Sequence, residues 1–584
     1  MPLRIWTASL AGAALLLLAG CAALLDATDR DIADAIAARQ RQALGYDRPT
    51  RPAREDGAAV RPGPQAYERT PAPVTQDLPE AFLVPAASQP ATTQPFDDAD
   101  ADTRPARFRE RVFTLTDAFA YAQVHRRELQ SAKEDLYLTA LALSLERHLW
   151  TPQFAAEART VYGNFGEITD FDQAMRFVAD LSVAQRLPYG GDFTARMVST
   201  LIRDVGRSIT ATEGGTIDLG LNVPLLRGAG HVAREDLYQL ERELTYAVRS
   251  YERFRRDQLV DVAEGYFNLL QLKQAVRDAH TSLRNARDDV DRARGFQDTG
   301  QGSPLDTQRA EQRLLEQQNS LARVRESFRF STDQFKLLIG MPVDQPMGLD
   351  DLESITDIER QIVEGAYPLL RRPQAASDEA LALDVATRSR LDLLTSNDRV
   401  DDAKRGVDIA RNALLPDLDW TSSLAFDTDP QHYRVGGYEF ARAAWRSEVV
   451  LAMNDRFAEK NRYRASIIDV RQAQRNYTDQ MERVRVGVRQ SVNQIELQER
   501  IVRIQEEAVK VATRQSEFAR IQYEEGLIDN RDKVEAEDAL IQALNSLNQA
   551  KTDLWSALLG FRLSTGTMRV DEHGDQQPDP DLDA

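Results

Sequence analysis

No proline interrupts the chain between Pro224 and Pro304, or between Pro430 and Pro578. Residues 227–297, inside the first gap, contain no strong helix breaker beyond their early glycines, Gly265 and Gly295. As one helix they would reach roughly 105 Å at about 1.5 Å per residue, far more than a globular domain needs. A chain built on two such rods must bury them lengthwise, so the period of their apolar residues governs what it can become.

That period is written twice. Residues 306–324 (DTQRAEQRLLEQQNSLARV) are echoed in the second half by residues 532–550 (DKVEAEDALIQALNSLNQA), with seven identities in nineteen and no gap. Apolar or small residues at Ala310, Leu314, Leu321, Val324, Phe328, Ser331 and Phe335 alternate spacings of three and four, with Gln317 the polar exception. This is the 3.5-residue seam of a coiled coil. The same seam recurs at Ala536, Leu540, Ala543, Leu547, Ala550, Leu554, Ala557 and Phe561. Gly300 (GQGSPLD) and Gly526 (GLIDNRD) stand at the same distance before the two seams, as tips of helical hairpins would. Two unrelated coiled-coil segments of similar composition are the alternative to an internal duplication.

Between the helices the period changes to two. Residues 217–225 alternate Ile217, Leu219, Leu221, Val223 and Leu225 with Asp218, Gly220, Asn222 and Pro224. Residues 193–201 (FTARMVSTL) alternate less cleanly after the turn LPYGG. Residues 420–426 (WTSSLAF) and 445–453 (WRSEVVLAM) hold the matching place in the second half, with aromatics suited to a membrane interface. Strands on a soluble core would alternate in the same way. In lipid, however, strands must close into a barrel, and four to six per chain are too few, so several copies would have to contribute.

The ends of the chain point to export. Arg4 and the apolar residues 5–20 follow the signal-peptide plan, and LAGC ends on Cys21, the only cysteine of the 584 residues. This resembles a lipobox, and residues 1–20 are read as a lipoprotein signal peptide with lipid carried on Cys21. With no second cysteine the exported chain forms no internal disulfide. Eleven of the 24 prolines fall between Pro49 and Pro105, so residues 21–110 read as a tether, with a short helix before the prolines. Residues 567–584 read as an acidic, disordered tail. A net charge of −19 and no basic stripe exclude general nucleic-acid binding.

Helix, strands, long helix, glycine tip and returning helix, then the whole series again, closely resembles the outer membrane efflux protein family, of which TolC is the best-known member. The resemblance spans residues 113–568. FTLTDAFAYAQVHRREL and DEALALDVATRSRLDLL are similar to the family's repeat starts. Pro152 and Pro416 stand at helix-to-strand junctions, VPLLRGAG is similar to a strand-to-helix junction, and LLIGMP and LLGFRL to repeat ends. It implies a mainly α fold with a membrane β-barrel portion: a homotrimer sharing one barrel and one periplasmic α-helical tunnel. The expected first repeat is 111–340 (strands 153–226, long helix 227–297, return helix 304–340) and the equatorial segment 341–376. The second repeat is 377–566 (strands 418–453, long helix 455–525, return helix 530–562). The long span 160–222 is a departure, with room for an extra hairpin around RLPYGGDF, and leaves four or six strands per chain open.

The resemblance also implies function: an outer-membrane exit duct for efflux or type I secretion, passive, served by a periplasmic adaptor and an inner-membrane pump of RND or ABC type. By position from the tips, Asp306, Asp532 and Glu535 would ring the periplasmic mouth, where clustered carboxylates favour cations over anions. Helix N-terminal charge is the plainer reading of the two aspartates. Tyr523 matches a latch position whose usual basic partner is here Ile528, with Arg531 a substitute. Gly300, Ser303, Gly526 and Leu527 would sit at the adaptor-docking tips. No catalytic motif is present, the six histidines have no ligand spacing, and no metal or cofactor is expected beyond the lipid. A lipid-anchored periplasmic coiled-coil scaffold or adaptor without a pore is the second reading; it explains the heptads but not the paired strands.

Overall fold

A computed structural model describes residues 30–45, 111–164, 173–204, 212–299, 303–349, 355–428, 438–525, 527–528, 530–571 and 577. Helix α1 occupies residues 30–44. After a short strand β1 (Arg111–Phe113) come α2 (Leu115–His125) and α3 (Arg127–Leu149). Strands β2 (Gln153–Asn164), β3 (Gln173–Arg186), β4 (Asp192–Asp204) and β5 (Thr212–Pro224) lead to α4 (Glu235–Asp298) and its return α5 (Pro304–Ile339). An equatorial stretch holds β6 (Met347–Leu349) and α6 (Ile355–Glu364). The second repeat runs through α7 (Glu379–Ser389), α8 (Leu391–Asn412), β7 (Asp417–Asp427), β8 (Ala444–Ala452), α9 (Phe457–Glu524) and α10 (Asn530–Thr565).

The duplication is structural as well as sequential. Thr114 caps α2 by accepting from Asp117 N, and its counterpart Asp378 caps α7 by accepting from Ala380 N. Both initial helices break at an arginine, Arg126 or Arg390, that pairs with the carboxylate two residues on, Glu128 or Asp392. A glycine at the end of a return helix is pressed against each break. A Cβ on Gly340 (φ +82°) would lie 2.1 Å from His125 O, and one on Gly566 (φ +74°) 2.8 Å from Ser389 O. Glycine's freedom at positive φ also ends the helix in a left-handed cap.

These junctions form the main core, where Phe113, Phe119, Tyr266, Phe267, Trp555 and Phe561 are buried together. The arginines buried in and beside it are hydrogen-bonded, which offsets their desolvation. Arg562, with no exposed surface, donates to the carbonyls of Pro368 and Leu369. Arg255 and Arg256 share Glu252, and reach Val570 O at 2.9 Å and Gly566 O at 2.6 Å. Residues 567–570, expected in the tail, are therefore part of the packed structure: Thr567, Met568 and Val570 are buried, and Val570 O is held by Arg255 of α4.

A second cluster carries α1. Ile32 and Ile36 pack on Leu136, Ala140 and Leu143 of α3 and on Leu244 and Val248 of α4, and Arg39 reaches Glu241 at 2.9 Å. The span read as a tether thus includes a docked helix. Cys21 and the proline-rich residues 46–110 lie outside the described residues.

Candidate functional site

Two surfaces carry what this fold can do: the six-stranded sheet and the hairpin tips. The sheet runs β2-β3-β4-β5-β7-β8, antiparallel throughout, and closes the question left between four and six strands. The equivalences locate the added pair. From its break at Arg126 to its closing Gly340, the first repeat is longer than the second from Arg390 to Gly566. That surplus lies in its strand region, which has four strands where the second repeat has two.

Alternation gives the sheet two unlike faces. Phe154, Leu181, Met197, Ile217, Phe426, Leu424 and Trp445 share one face through the register pairs Leu181↔Met197, Met197↔Ile217, Ile217↔Phe426 and Leu424↔Trp445. The other face bears Glu157, Arg159, Arg176, Asp180, Arg196, Asp218, Arg446 and Glu448, with ion pairs Arg159–Glu157 and Arg196–Asp180. The apolar face is exposed: Phe154 at 76 %, Leu181 at 50 %, Trp445 at 71 % and Val449 at 62 %. Among the described residues no soluble core covers it, and no helix is apolar and long enough to cross a membrane. An apolar band outside and charges inside are the two walls of a membrane barrel.

At the opposite end, α5 starts on Ser303, which accepts from Leu305 N at 3.2 Å, with Pro304 in the first turn. Gly300 and Gly526 lie outside the described residues; Leu527 is 66 % exposed. Asp306 and Asp532 occupy the first turns of the two return helices, and Glu535 one turn on; all three are exposed. Asp306 has Arg309 at 3.7 Å. Asp306 lies on the first hairpin, and Asp532 and Glu535 lie together on the second.

The contact beside Tyr523 was not legible in the sequence. Arg531 is exposed, and the cation over the Tyr523 ring is Lys533, 5.3 Å from its centroid. Lys533 is buried and lies 3.5 Å from Asp289 of the first hairpin and 3.6 Å from Glu537. Arg292 donates to Asp289 at 2.7 Å. Burial pushes the Tyr523 hydroxyl above its ordinary range; Arg292 opposes this and Asp289 adds to it. The cluster ties α4 to α9 and α10, one hairpin to the other, just above the tips. The only signal for it was a lone lysine inside DNRDKVEAED.

Along α9 the residues Leu497, Ile504, Val511 and Phe518 recur every seven positions and are 47, 58, 55 and 61 % exposed. A sustained heptad stripe in solvent is an unmet coiled-coil seam. Its counterparts at the equivalent positions of α4 include Gln271, which donates to Thr552 of α10. At that position α4 meets α10 within the chain, while α9 leaves Leu497 open.

Residues 382–567 match the profile of the family described as outer membrane efflux protein. The second repeat is an outer membrane efflux protein domain. No curated protein matches the sequence. Solved structures extend the likeness over both repeats. The CusC transmembrane channel is 14 % identical, with 83 % of this chain and 99 % of that chain covered at a TM-score of 0.54. VceC of Vibrio cholerae is 14 % identical over 77 % of this chain and 96 % of its own, at 0.55. The open state of the Neisseria gonorrhoeae MtrE channel is 14 % identical over 77 % and 88 %, at 0.55. At such identity the likeness is one of fold: helical hairpins beneath an antiparallel sheet. Among the described residues no His, Cys, Asp or Glu group is arranged to hold a metal.

Proposed function

We propose that the protein is an outer-membrane exit duct: three copies close one barrel in the membrane and one helical tunnel beneath it, through which an adaptor and an inner-membrane pump pass substrate. The observation that carries this is the six-stranded sheet with an exposed apolar face, a charged opposite face and two outer edges, on β2 and β8, that face no described strand of the chain. In lipid an open sheet edge leaves backbone groups unsatisfied at several kcal/mol each, by order of magnitude. Sister chains can satisfy those edges and the α9 stripe together.

No step needs catalysis. The helices supply a wall and the tips supply a gate: the Lys533, Asp289 and Tyr523 cluster fastens the hairpins to each other, and Asp306, Asp532 and Glu535 come together by rotation symmetry to set the charge of the mouth. The tips around Ser303 and Leu527 are the adaptor's docking place. Lipid on Cys21 holds the chain to the outer membrane, with α1 fixing the start of the chain on the outside of the helical wall.

The test is planar-bilayer conductance of the detergent-extracted protein, with its oligomeric state read on unheated gels. Discrete single-channel steps from a heat-resistant trimer are expected. A helical protein that stays soluble without its lipid and conducts no ions would favour the scaffold reading.

A further inference from the structure

The registers of the sheet specify how it closes. Straight across the ladders from Gln153, at the helix end of β2, the line passes Ala184, Thr194, Gly220 and Ser423 to reach Arg446. Arg446 is six residues short of the helix end of β8, Ala452. The ladder therefore climbs six residues relative to the strand ends in five steps. A flat, open sheet need not climb; a barrel must, because closure requires tilted strands and a net shear. One more step, onto β2 of a second copy, brings the climb to between six and eight. Because side chains alternate faces, only even shifts keep the apolar faces together.

The side chains choose between the two. A climb of six would set Arg446 opposite Arg159 and Glu448 opposite Glu157, two like-charge pairs. A climb of eight sets Glu448 opposite Arg159 on the charged face, and on the apolar face Ser447 opposite Thr160 and Trp445 beside Tyr162. Opposite charges, hydroxyl pairs and aromatic pairs directly across a ladder stabilise it, by roughly 0.2–1 kcal/mol each, and like charges destabilise it.

The inserted hairpin belongs to this sheet. Its inner turn is fastened to the strand-to-helix elbow: Gly230 N donates to Tyr189 O at 2.8 Å, and a Cβ on Gly191 (φ +86°) would lie 1.9 Å from Asn222 O. We infer that β2 of each copy pairs with β8 of the next in the register that places Arg159 opposite Glu448, and that the hairpin β3–β4 thereby makes the barrel eighteen-stranded. This rests on the three-copy duct proposed above. A barrel of that strand number measures roughly 35–40 Å across its backbone, and porins of 16–18 strands hold an aqueous channel. The tips, not the membrane segment, then limit what passes, and the barrel admits bulky, hydrated cargo.

Cysteine pairs test the register, with the single variants as controls for Cys21. Thr160→Cys with Ser447→Cys should oxidise to a reductant-sensitive covalent ladder ending at the trimer, whereas Ala158→Cys with Ser447→Cys, the pair for a climb of six, should not. Arg159→Glu should lower the temperature at which the oligomer dissociates, and adding Glu448→Arg should restore it. A map of the assembly should count eighteen strands. Cross-linking through the Ala158 pair, through neither pair, or a barrel of twelve strands with the hairpin outside it would overturn the inference. If such a protein still conducts, the duct reading survives; a cross-linked ring that conducts nothing would sink the duct and leave the seam.

Discussion

The two repeats share helix breaks, caps and glycine locks, yet their long helices meet different surroundings. Helix α4 is covered by α1, α3 and α10 and buries Leu244, Val248, Leu259, Val262, Tyr266 and Leu270. Its twin α9 buries Val484, Val488, Val492 and Ile495 near the equator and leaves a heptad stripe in solvent towards the tip. A duplicated unit satisfies its first copy from within and leaves part of its second uncovered by the described residues of the chain. The same holds in the sheet, where β5 and β7 join the repeats while β2 and β8 end them.

Substitutions at matching depth should separate the two roles. The largest effect is expected from Val262→Asp, which puts a charge in a fully buried site of α4; a loss of several kcal/mol is expected, on the order of the whole stability margin, and circular dichroism should record loss of the helical fold. Phe518→Asp on α9 should leave helicity intact and abolish the oligomer in size-exclusion chromatography. Retention of the trimer would break the comparison.

Next come the glycine locks. Gly340→Ala should cost about 2 kcal/mol or more and Gly566→Ala about 1 kcal/mol or more, ranked by the closer approach at Gly340, in thermal or denaturant melts. Equal costs would show that the two junctions relax alike. A smaller change is expected at the hairpin fastening. Lys533→Met leaves Asp289 still held by Arg292, so stability should fall by only about 1–2 kcal/mol, while mean conductance in planar bilayers should rise as the hairpins separate. Unchanged conductance would remove Lys533 from the gate.

The smallest effect is one of pH. Burial raises the Asp278 carboxyl above its ordinary range, against Gln274 and Arg277. The folded chain thus holds that proton more tightly than the unfolded one: the contribution favours folding below the ordinary carboxylate range and is lost as pH rises through the raised value. Its counterpart in α9 is Ile504, which cannot titrate. Asp392 has the opposite sign. Burial alone would raise it, but Arg390, Arg253 and the Leu393 N–H hold it low, so its contribution is present above the ordinary value and lost as pH falls through the lowered one. Asp278→Asn should flatten the first dependence and Asp392→Asn the second, in melts followed from pH 3 to about 7.

What was readable along the chain was whatever repeats locally. The helix seams, alternating strands and the surplus around LPYGG all follow from periods of 3.5 and 2 and from backbone sterics, which a linear sequence records. The breaks at Arg126 and Arg390 were not readable, because each packs against a glycine at the far end of its repeat. Nor was the burial of Thr567, Met568 and Val570, next to Gly566, where Arg255 and Arg256 of another helix hold the carbonyls of Val570 and Gly566.

The sequence by itself determined two equivalent rods with strands between them, because periodicity and breakers act over a few residues. Only the tertiary structure decided which faces those rods share, that Lys533 and not its exposed neighbour Arg531 stands over Tyr523, and how far the strand ends climb. Those depend on distances between residues remote in the chain, and no local pattern encodes them.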